Sequence, residues 1–120
     1  MEYYKTFMGQ QQIEQDLRQF TGTENYYKSL LGLLFTDGVK FLADSCQAYW
    51  LIDLIASYRN KRKEFELWQI SVKNNKAVVT MREDCGLNPI VRQEIPYTDF
   101  PFQNFKLYLR NNVLMLPSEY

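Results

Sequence analysis

The stretch Thr36–Tyr58, TDGVKFLADSCQAYWLIDLIASY, decides the fold because it carries the clearest helical pattern of the chain. Apolar residues recur there at the i, i+3, i+4, i+7 spacing of one helical face: Ala48, Leu51, Ile52, Ile55 and Tyr58. Thr36 supplies a hydroxyl for an N-cap, and Asp37 places an acid at the positive end of the helix dipole. The pattern predicts a central buried helix with a break or kink near Ser45–Gln47, where its two halves stop sharing one apolar stripe.

The opposite side of this helix is aromatic rather than plainly polar. It carries Cys46, Tyr49, Trp50, Asp53 and Ser57. A helix that is apolar around most of its circumference is usually covered on more than one side, so we expect a second layer of chain, or a partner, over this stripe. Asp53 then has two interpretations. It is either a structural acid held by hydrogen bonds, or a desolvated acid of raised pKa that works in catalysis with Tyr49 as its hydrogen-bond donor.

Outward from the central helix, the N-terminal part of the chain is also predicted to be helical. Gly9–Phe20 places Ile13, Leu17 and Phe20 at helical spacing, which indicates a short amphipathic helix. Glu24–Ser29 is compatible with a short strand or a turn. We expect Met1–Phe7 to be irregular.

Beyond Lys63 the hydrophobic period changes from helical spacing to alternation, which is typical of strands. The predicted strands are 65–72, 77–83, 90–95, 105–110 and 113–116. Lys73–Lys76 is predicted to be a tight hairpin turn, because Asn tolerates positive φ. We therefore predict a single α+β domain over residues 1–120, in which helices of residues 9–60 pack on one face of an antiparallel meander of four to five strands in residues 64–117.

The types of residue in the chain exclude several kinds of catalytic and metal-binding site. The chain contains no His, which removes the histidine-based nucleophile arrangements, the His zinc sites and the histidine general base. Its two cysteines, Cys46 and Cys85, form no CxxC pair. We predict that both are buried structural thiols, and a disulfide is not required for stability. No nucleotide fingerprint or phosphate loop occurs, so we predict no cofactor and lean against an enzyme.

Three acids of the central stretch could suggest a Mg²⁺ site. However, Asp53 lies about 180° around a straight helix from Asp44, so the sequence predicts no metal site. We assign Asp37 to the N-cap region and pair Asp44 with Lys40.

Basic and acidic residues balance over the whole chain, but basic residues are concentrated in one short run. The 14 basic and 14 acidic residues cancel, which gives the whole chain no electrostatic attraction to nucleic acid or anionic membranes. The run RNKRK concentrates four cations: Arg59, Lys61, Arg62 and Lys63. It is either a solvated helix end or a nucleic-acid patch. No segment is apolar enough to span a membrane, and MEYYKTFMGQ lacks the features of a signal peptide, so we expect a cytoplasmic protein.

Four phrases carry a resemblance to a known family. They are FTGTENYYK (20–28), LLFTDGVKFLAD (33–44), AYWLIDLIASY (48–58) and LMLPSEY (114–120). The chain resembles a family of small uncharacterised proteins of bacteria and their mobile elements, known only as a domain of unknown function. The resemblance implies a complete domain and an association with phage or mobile-element biology, and it carries no activity or catalytic residue.

The aromatic content then favours one class of function. Aromatic residues make up 16% of the chain, with nine Tyr and eight Phe. We predict a non-catalytic protein-interaction or regulatory module, whose partner is either a second copy of the chain or another protein, because exposed aromatic side chains anchor protein interfaces. The candidate contact residues are Tyr49, Trp50, Asp53, Tyr97, Phe100 and Phe102. The alternatives are nucleic-acid association through the RNKRK run and a small enzyme that uses Asp53.

Overall fold

A computed structural model describes residues 7–120 of the chain, with side chains from Gly9 onward. Its helices are α1 (Phe7–Leu17), α2 (Asp37–Cys46) and α3 (Tyr49–Ser57). Its strands are β1 (Tyr26–Lys28), β2 (Leu34–Thr36), β3 (Phe65–Lys73), β4 (Lys76–Arg82), β5 (Val91–Ile95), β6 (Asn104–Arg110) and β7 (Val113–Met115). Short 3₁₀ turns lie at Arg59–Lys61 and Pro117–Glu119. The expectation for Met1–Phe7 falls outside the described residues, except at Phe7, where α1 begins.

The predicted break in the central helix is confirmed and is complete. Gln47 adopts a left-handed conformation with a φ of 52°, which ends α2 before α3 begins two residues later. The N-cap prediction is also confirmed, because the Thr36 side chain accepts a hydrogen bond from the Val39 amide. The second layer of chain that was expected over the aromatic stripe is not formed on α3 by residues 7–120, and the other alternative, a partner, stays a prediction. Only one face of α3 is buried, and Tyr49 and Asp53 on its other face are exposed.

The sheet is larger than predicted and is mixed rather than purely antiparallel. Residues 7–120 form seven strands of it in the order β1-β2-β7-β6-β3-β4-β5, and β2 runs parallel to β7. The α+β class is therefore correct, whereas the count of four to five strands is wrong. The two additional strands, β1 and β2, have three residues each, which is too short for a pattern of alternation; β1 confirms the strand alternative for Glu24–Ser29, whereas β2 was not predicted.

The strand order also corrects the predicted meander. β6 pairs with β3 instead of with β5, so β3, β4, β5 and β6 form a Greek key. The connection 96–103 crosses the end of the β3–β4 hairpin, where the Thr98 amide donates to the Asn75 carbonyl at 2.8 Å. At its far end the Val72 amide donates to the Gln103 carbonyl, also at 2.8 Å. This crossover leaves β5 at one edge of the sheet.

The core lies between the helices and one face of the sheet. The predicted β3–β4 hairpin is confirmed, with positive φ at both turn residues, Asn74 and Asn75. Its inward side chains meet those of β6 and the helices in the core: Trp68, Ile70, Val79, Met81, Leu107 and Leu109. These buried residues alternate along each strand, in agreement with the predicted change from helical spacing to alternation.

Candidate functional site

The aromatic stripe of α3 lies at the surface. Asp53 is exposed, so no aromatic rings cover it and the prediction of a desolvated carboxylate is wrong. Tyr49 is 41% exposed, Trp50 is half-buried, and the Tyr49 hydroxyl donates to Asp44 rather than to Asp53. The pairing of Tyr49 with Asp53 that a catalytic site requires is therefore not formed.

The segment that follows β5 divides into one exposed and two buried aromatic residues. Tyr97 is 69% exposed, whereas Phe100 and Phe102 are only 4% and 9% exposed. The rings of Phe100 and Phe102 each pack on Phe105, with centroid distances of 6.0 and 5.3 Å. Their assignment to a contact surface is wrong, because the connection folds its phenylalanines inward where it crosses the end of the core.

The basic run is partly used inside the fold. The carboxylate of Glu66 is fully buried, and Arg62 Nη1 lies 2.9 Å from its Oε1. The Lys63 amide and the Trp68 indole N–H also donate to Glu66, at 2.8 Å each. Arg62 therefore neutralises a core carboxylate, since a buried charge needs a partner of opposite sign. The side chains that remain exposed are those of Arg59, Lys61 and Lys63.

A polar cluster joins β1 to the two helices. Lys40 Nζ lies 2.7 Å from Asp44 Oδ2 and 5.5 Å from the centre of the Tyr27 ring. The Tyr27 hydroxyl donates to Asp37 at 2.9 Å, and the Tyr49 hydroxyl donates to Asp44. The predicted pairing of Asp44 with Lys40 is confirmed. The contribution of Tyr27 was not predicted, because its partner Asp37 lies ten residues away on another element.

The pKa shifts in this cluster all strengthen the ordinary charge states. Hydrogen bonds raise the pKa of Tyr27 through Asp37 and that of Lys40 through Asp44. Burial, followed by the bond to Asp44, raises the pKa of Tyr49. Burial opposes the charge of Asp44, but the bonds from Lys40 and Tyr49 outweigh it and lower the pKa. A general acid or base needs a pKa near neutrality, so this cluster has the character of a structural network.

A second polar cluster, the α2 N-terminal junction, holds the start of α2. Glu119 accepts hydrogen bonds from the Thr36 hydroxyl at 2.6 Å, the Gly38 amide at 3.1 Å and the Leu116 amide at 2.9 Å. A Cβ on Gly38 would lie only 2.6 Å from Leu116 Cδ1 and 2.7 Å from Glu119 Oε1, so a larger residue here would force these side chains to shift. The C-terminal residues thereby supply the carboxylate that the positive end of a helix favours.

Asp37 closes the other side of the α2 N-terminal junction. Its carboxylate accepts from the amides of Glu24 and Asn25, at 2.9 and 3.3 Å. The bond from the Glu24 amide is the largest cause that lowers the pKa of Asp37, to about 2. The Asp37 amide in turn donates to the Thr23 hydroxyl at 2.9 Å. Three of the four phrases that carry the family resemblance, FTGTENYYK, LLFTDGVKFLAD and LMLPSEY, therefore meet at this junction.

The β5 edge, defined as the side of Val91–Ile95 that faces away from β4, has no strand paired to it within residues 7–120. The Met81 carbonyl faces β5, since it accepts from the Ile90 amide at 2.7 Å. Because ladder bonds alternate along a strand, Val91, Gln93 and Ile95 bond to β4, and the backbone groups of Arg92 and Glu94 point outward.

Exposed apolar side chains flank the β5 edge on both sides. Leu87 is 54% and Ile90 37% exposed before the strand, and Tyr97 is 69% exposed after it. An open groove of about 740 Å³ begins at Glu94 and Ile95 and continues to the β3–β4 turn. The sequence pointed to Tyr97, but the predicted meander would have covered β5 with the following strand. Only the crossover exposes this edge.

The solvent-side face of the sheet carries an aromatic cleft that sequence reasoning missed. The Phe65 ring packs on those of Tyr108 and Tyr120, at 5.2 and 5.7 Å, and borders a cleft of about 680 Å³. Cys85 lines this cleft and is exposed, which corrects the prediction that both cysteines are buried. Cys46 is buried as predicted, and burial raises the pKa of its thiol to about 12. Both thiols are free.

Two further observations concern metals and membranes. Within residues 7–120, no group of three or more Cys, Asp or Glu side chains is arranged to hold a metal ion. None of the helices in the same range is long and apolar enough to cross a membrane.

Comparison with known proteins assigns the chain to a family without assigning it an activity. No curated protein and no solved structure matches the chain. A family model described as a family of unknown function matches residues 11–120, which is nearly the whole sequence. The chain therefore belongs to this family of unknown function, DUF6876.

Proposed function

We propose that the protein is a non-catalytic protein-interaction module that contacts its partner through the β5 edge. The observation that carries the proposal is the combination of outward backbone groups at Arg92 and Glu94 with exposed Leu87, Ile90 and Tyr97 on either side. An unpaired edge strand accepts an extended segment of another chain through main-chain hydrogen bonds. A second copy of the chain is one such partner.

Two kinds of contact at the β5 edge would favour binding. Each backbone hydrogen bond that replaces one to water contributes about 0.5–1.5 kcal/mol. The aromatic ring of Tyr97, which is 69% exposed in the isolated chain, adds apolar surface that an incoming segment would remove from water. The groove beside Glu94 and Ile95 offers additional surface for side chains of the incoming segment.

The rival functions have less support. Catalysis by Asp53 requires a desolvated acid, and this residue is exposed with Tyr49 bonded elsewhere. Nucleic-acid binding through the RNKRK run would use Arg59, Lys61 and Lys63 without Arg62, which is engaged by Glu66. The Tyr49 and Trp50 surface is a weaker contact site, since Tyr49 is tied to Asp44 and Trp50 is half-buried. The family resemblance extends the proposal to phage or mobile-element biology.

The proposal is tested by partner capture with variants of the full chain. Glu94→Pro removes an outward N–H that β4 does not use, which edge strands tolerate, and Tyr97→Ala removes the aromatic anchor. Tyr26→Ala is the matched control, because Tyr26 is similarly exposed, at 60%, on the opposite edge strand.

We expect the edge variants to lose a captured protein that the wild type and Tyr26→Ala both retain, with circular dichroism unchanged. Equal recovery by all four proteins would overturn the proposal. Nucleic acid that co-purifies at low salt and is lost from a Lys61→Ala/Lys63→Ala variant would favour the rival function instead.

A further inference from the structure

We propose that the occupant of the β5 edge is β5 of a second copy, paired antiparallel about a twofold axis at Gln93. This inference rests on the proposed function, since it names the partner of the same edge. The two sheets then join into one continuous sheet, and the two copies contribute the same surface, as in most closed dimers.

The backbone restricts the register of such a pair. Only Arg92 and Glu94 direct their N–H and C=O groups outward, so the hydrogen-bonded positions between the copies must include these two residues. A twofold axis can then lie at Arg92, at Gln93 or at Glu94. With the axis at Gln93, Arg92 of one copy faces Glu94 of the other, and both such pairs exchange both of their backbone hydrogen bonds.

The side-chain charges select among these registers. An axis at Arg92 places that cation opposite itself, and an axis at Glu94 places two acids opposite each other. Like charges directly opposite on neighbouring strands are destabilising, whereas opposite charges are favourable. Arg92 and Glu94 already lie on the same sheet face in one copy, with Arg92 Nη1 3.3 Å from Glu94 Oε2, and both are well exposed. The axis at Gln93 makes this pair self-complementary.

The same register brings the exposed apolar flanks together. Each residue faces the one that lies equally far on the other side of Gln93, so Ile90 meets Pro96 and Pro89 meets Tyr97 of the second copy. Ile90 and Tyr97 are exposed by 37% and 69% in the isolated chain. Their burial would remove apolar surface from water at both ends of the pair, which favours association.

The charge argument is tested by light scattering over a range of protein concentrations. We expect a dimer for the wild type and, for Arg92→Glu, a dissociation constant raised about tenfold or more, because two like-charge contacts replace two attractive ones. The double variant Arg92→Glu/Glu94→Arg exchanges the charges and restores the pairs, so it should dimerise as the wild type does. A monomeric wild type, or a double variant as weak as the single one, would overturn the register.

The position of the axis is tested by disulfide cross-linking in a Cys85→Ser background, which removes the exposed thiol. Gln93 would form a non-hydrogen-bonded pair with itself, at a Cα separation of about 4.5 Å that a disulfide can span. We expect Gln93→Cys to form a covalent dimer under mild oxidation, and the control Glu94→Cys, which faces Arg92, to do so much more slowly. Absence of the Gln93→Cys product, with native circular dichroism, would contradict the inference.

These results separate the inference from the proposed function. A chain that never dimerises or cross-links, but whose partner capture still depends on Glu94 and Tyr97, would overturn self-pairing and leave the β5 edge as a binding site. If capture is also independent of both residues, the proposed function fails as well.

Discussion

The polar groups of the α2 N-terminal junction are hydrogen-bonded within the chain, whereas backbone polar groups of the β5 edge point outward. At the junction, Glu119 and Asp37 between them accept hydrogen bonds from several amides and hydroxyls of distant segments. At the edge, Arg92 and Glu94 direct backbone groups outward without a strand to receive them among residues 7–120. Three of the segments that resemble the family therefore stabilise the fold, whereas the proposed partner surface lies outside all four of those segments.

The largest effect should come from Glu119→Ala. Removal of this carboxylate leaves the Thr36 hydroxyl and the amides of Gly38 and Leu116 without their acceptor, and we expect a loss of about 2–3 kcal/mol in the free energy of unfolding. Urea denaturation measures the loss. Glu94→Ala, at the exposed edge, is the control and should change stability little. Equal losses for the two substitutions would mean that the junction and the β5 edge do not differ in their contribution to stability.

A somewhat smaller loss in the free energy of unfolding is expected for Gly38→Ala. The new methyl group would lie within 3 Å of Leu116 and Glu119 side-chain atoms, and overpacking of this kind costs about 1–3 kcal/mol. Thermal and urea unfolding should both show the loss. Gly22→Ala is the matched control, since no atom lies within 4 Å of a Cβ at that position. A neutral Gly38→Ala would mean that the C-terminal segment moves aside without cost.

The next expected effect is a pH dependence that originates at the junction. The pKa of Asp37 is lowered from 3.8 to about 2, chiefly by the Glu24 amide, so its charged form is favoured in the folded state. Its contribution to stability is therefore present above its unfolded pKa and is lost as the pH falls from about 4 to about 2.

Urea titrations at several pH values measure this contribution. The wild type should exceed Asp37→Asn in stability at pH 5, and the difference should shrink toward zero near pH 2. Asp53→Asn, which alters an exposed acid outside the junction, is the control and should leave the stability at pH 5 close to that of the wild type. If wild type and Asp37→Asn differed in stability by the same amount at every pH, the charge of Asp37 would not be the cause of the pH dependence.

The smallest effect on folding should come from the edge itself. Arg92 forms an exposed ion pair with Glu94, and such a pair contributes about 0–1 kcal/mol, so Arg92→Glu should change the free energy of unfolding by about 0.5 kcal/mol or less. Urea denaturation at protein concentrations well below those at which the chain associates measures this value. A large loss would mean that Arg92 serves the fold, and the contrast between the two regions would disappear.

Local patterns in the sequence predicted a substantial part of the fold. The helical spacing of 48–58, the cap at Thr36, the break near Gln47 and the β3–β4 hairpin all depend on residues close together in the chain, and the structure confirms them. The Lys40–Asp44 pair follows for the same reason, because positions four apart lie side by side on a helix. Site residues were harder to predict, since Phe100 and Asp53 were assigned to the wrong environments.

The sequence alone thus determined the period of each segment, the turns between neighbours and the absence of histidine chemistry, because these depend on local geometry and residue type. Only the tertiary structure decided that β6 returns beside β3, that β2 joins β7 and that Glu119 reaches the start of α2. Such contacts connect residues far apart in the chain. Which of the possible strand pairings forms depends on competition among them, and local patterns in the sequence do not predict the result. The open β5 edge is a consequence of that choice.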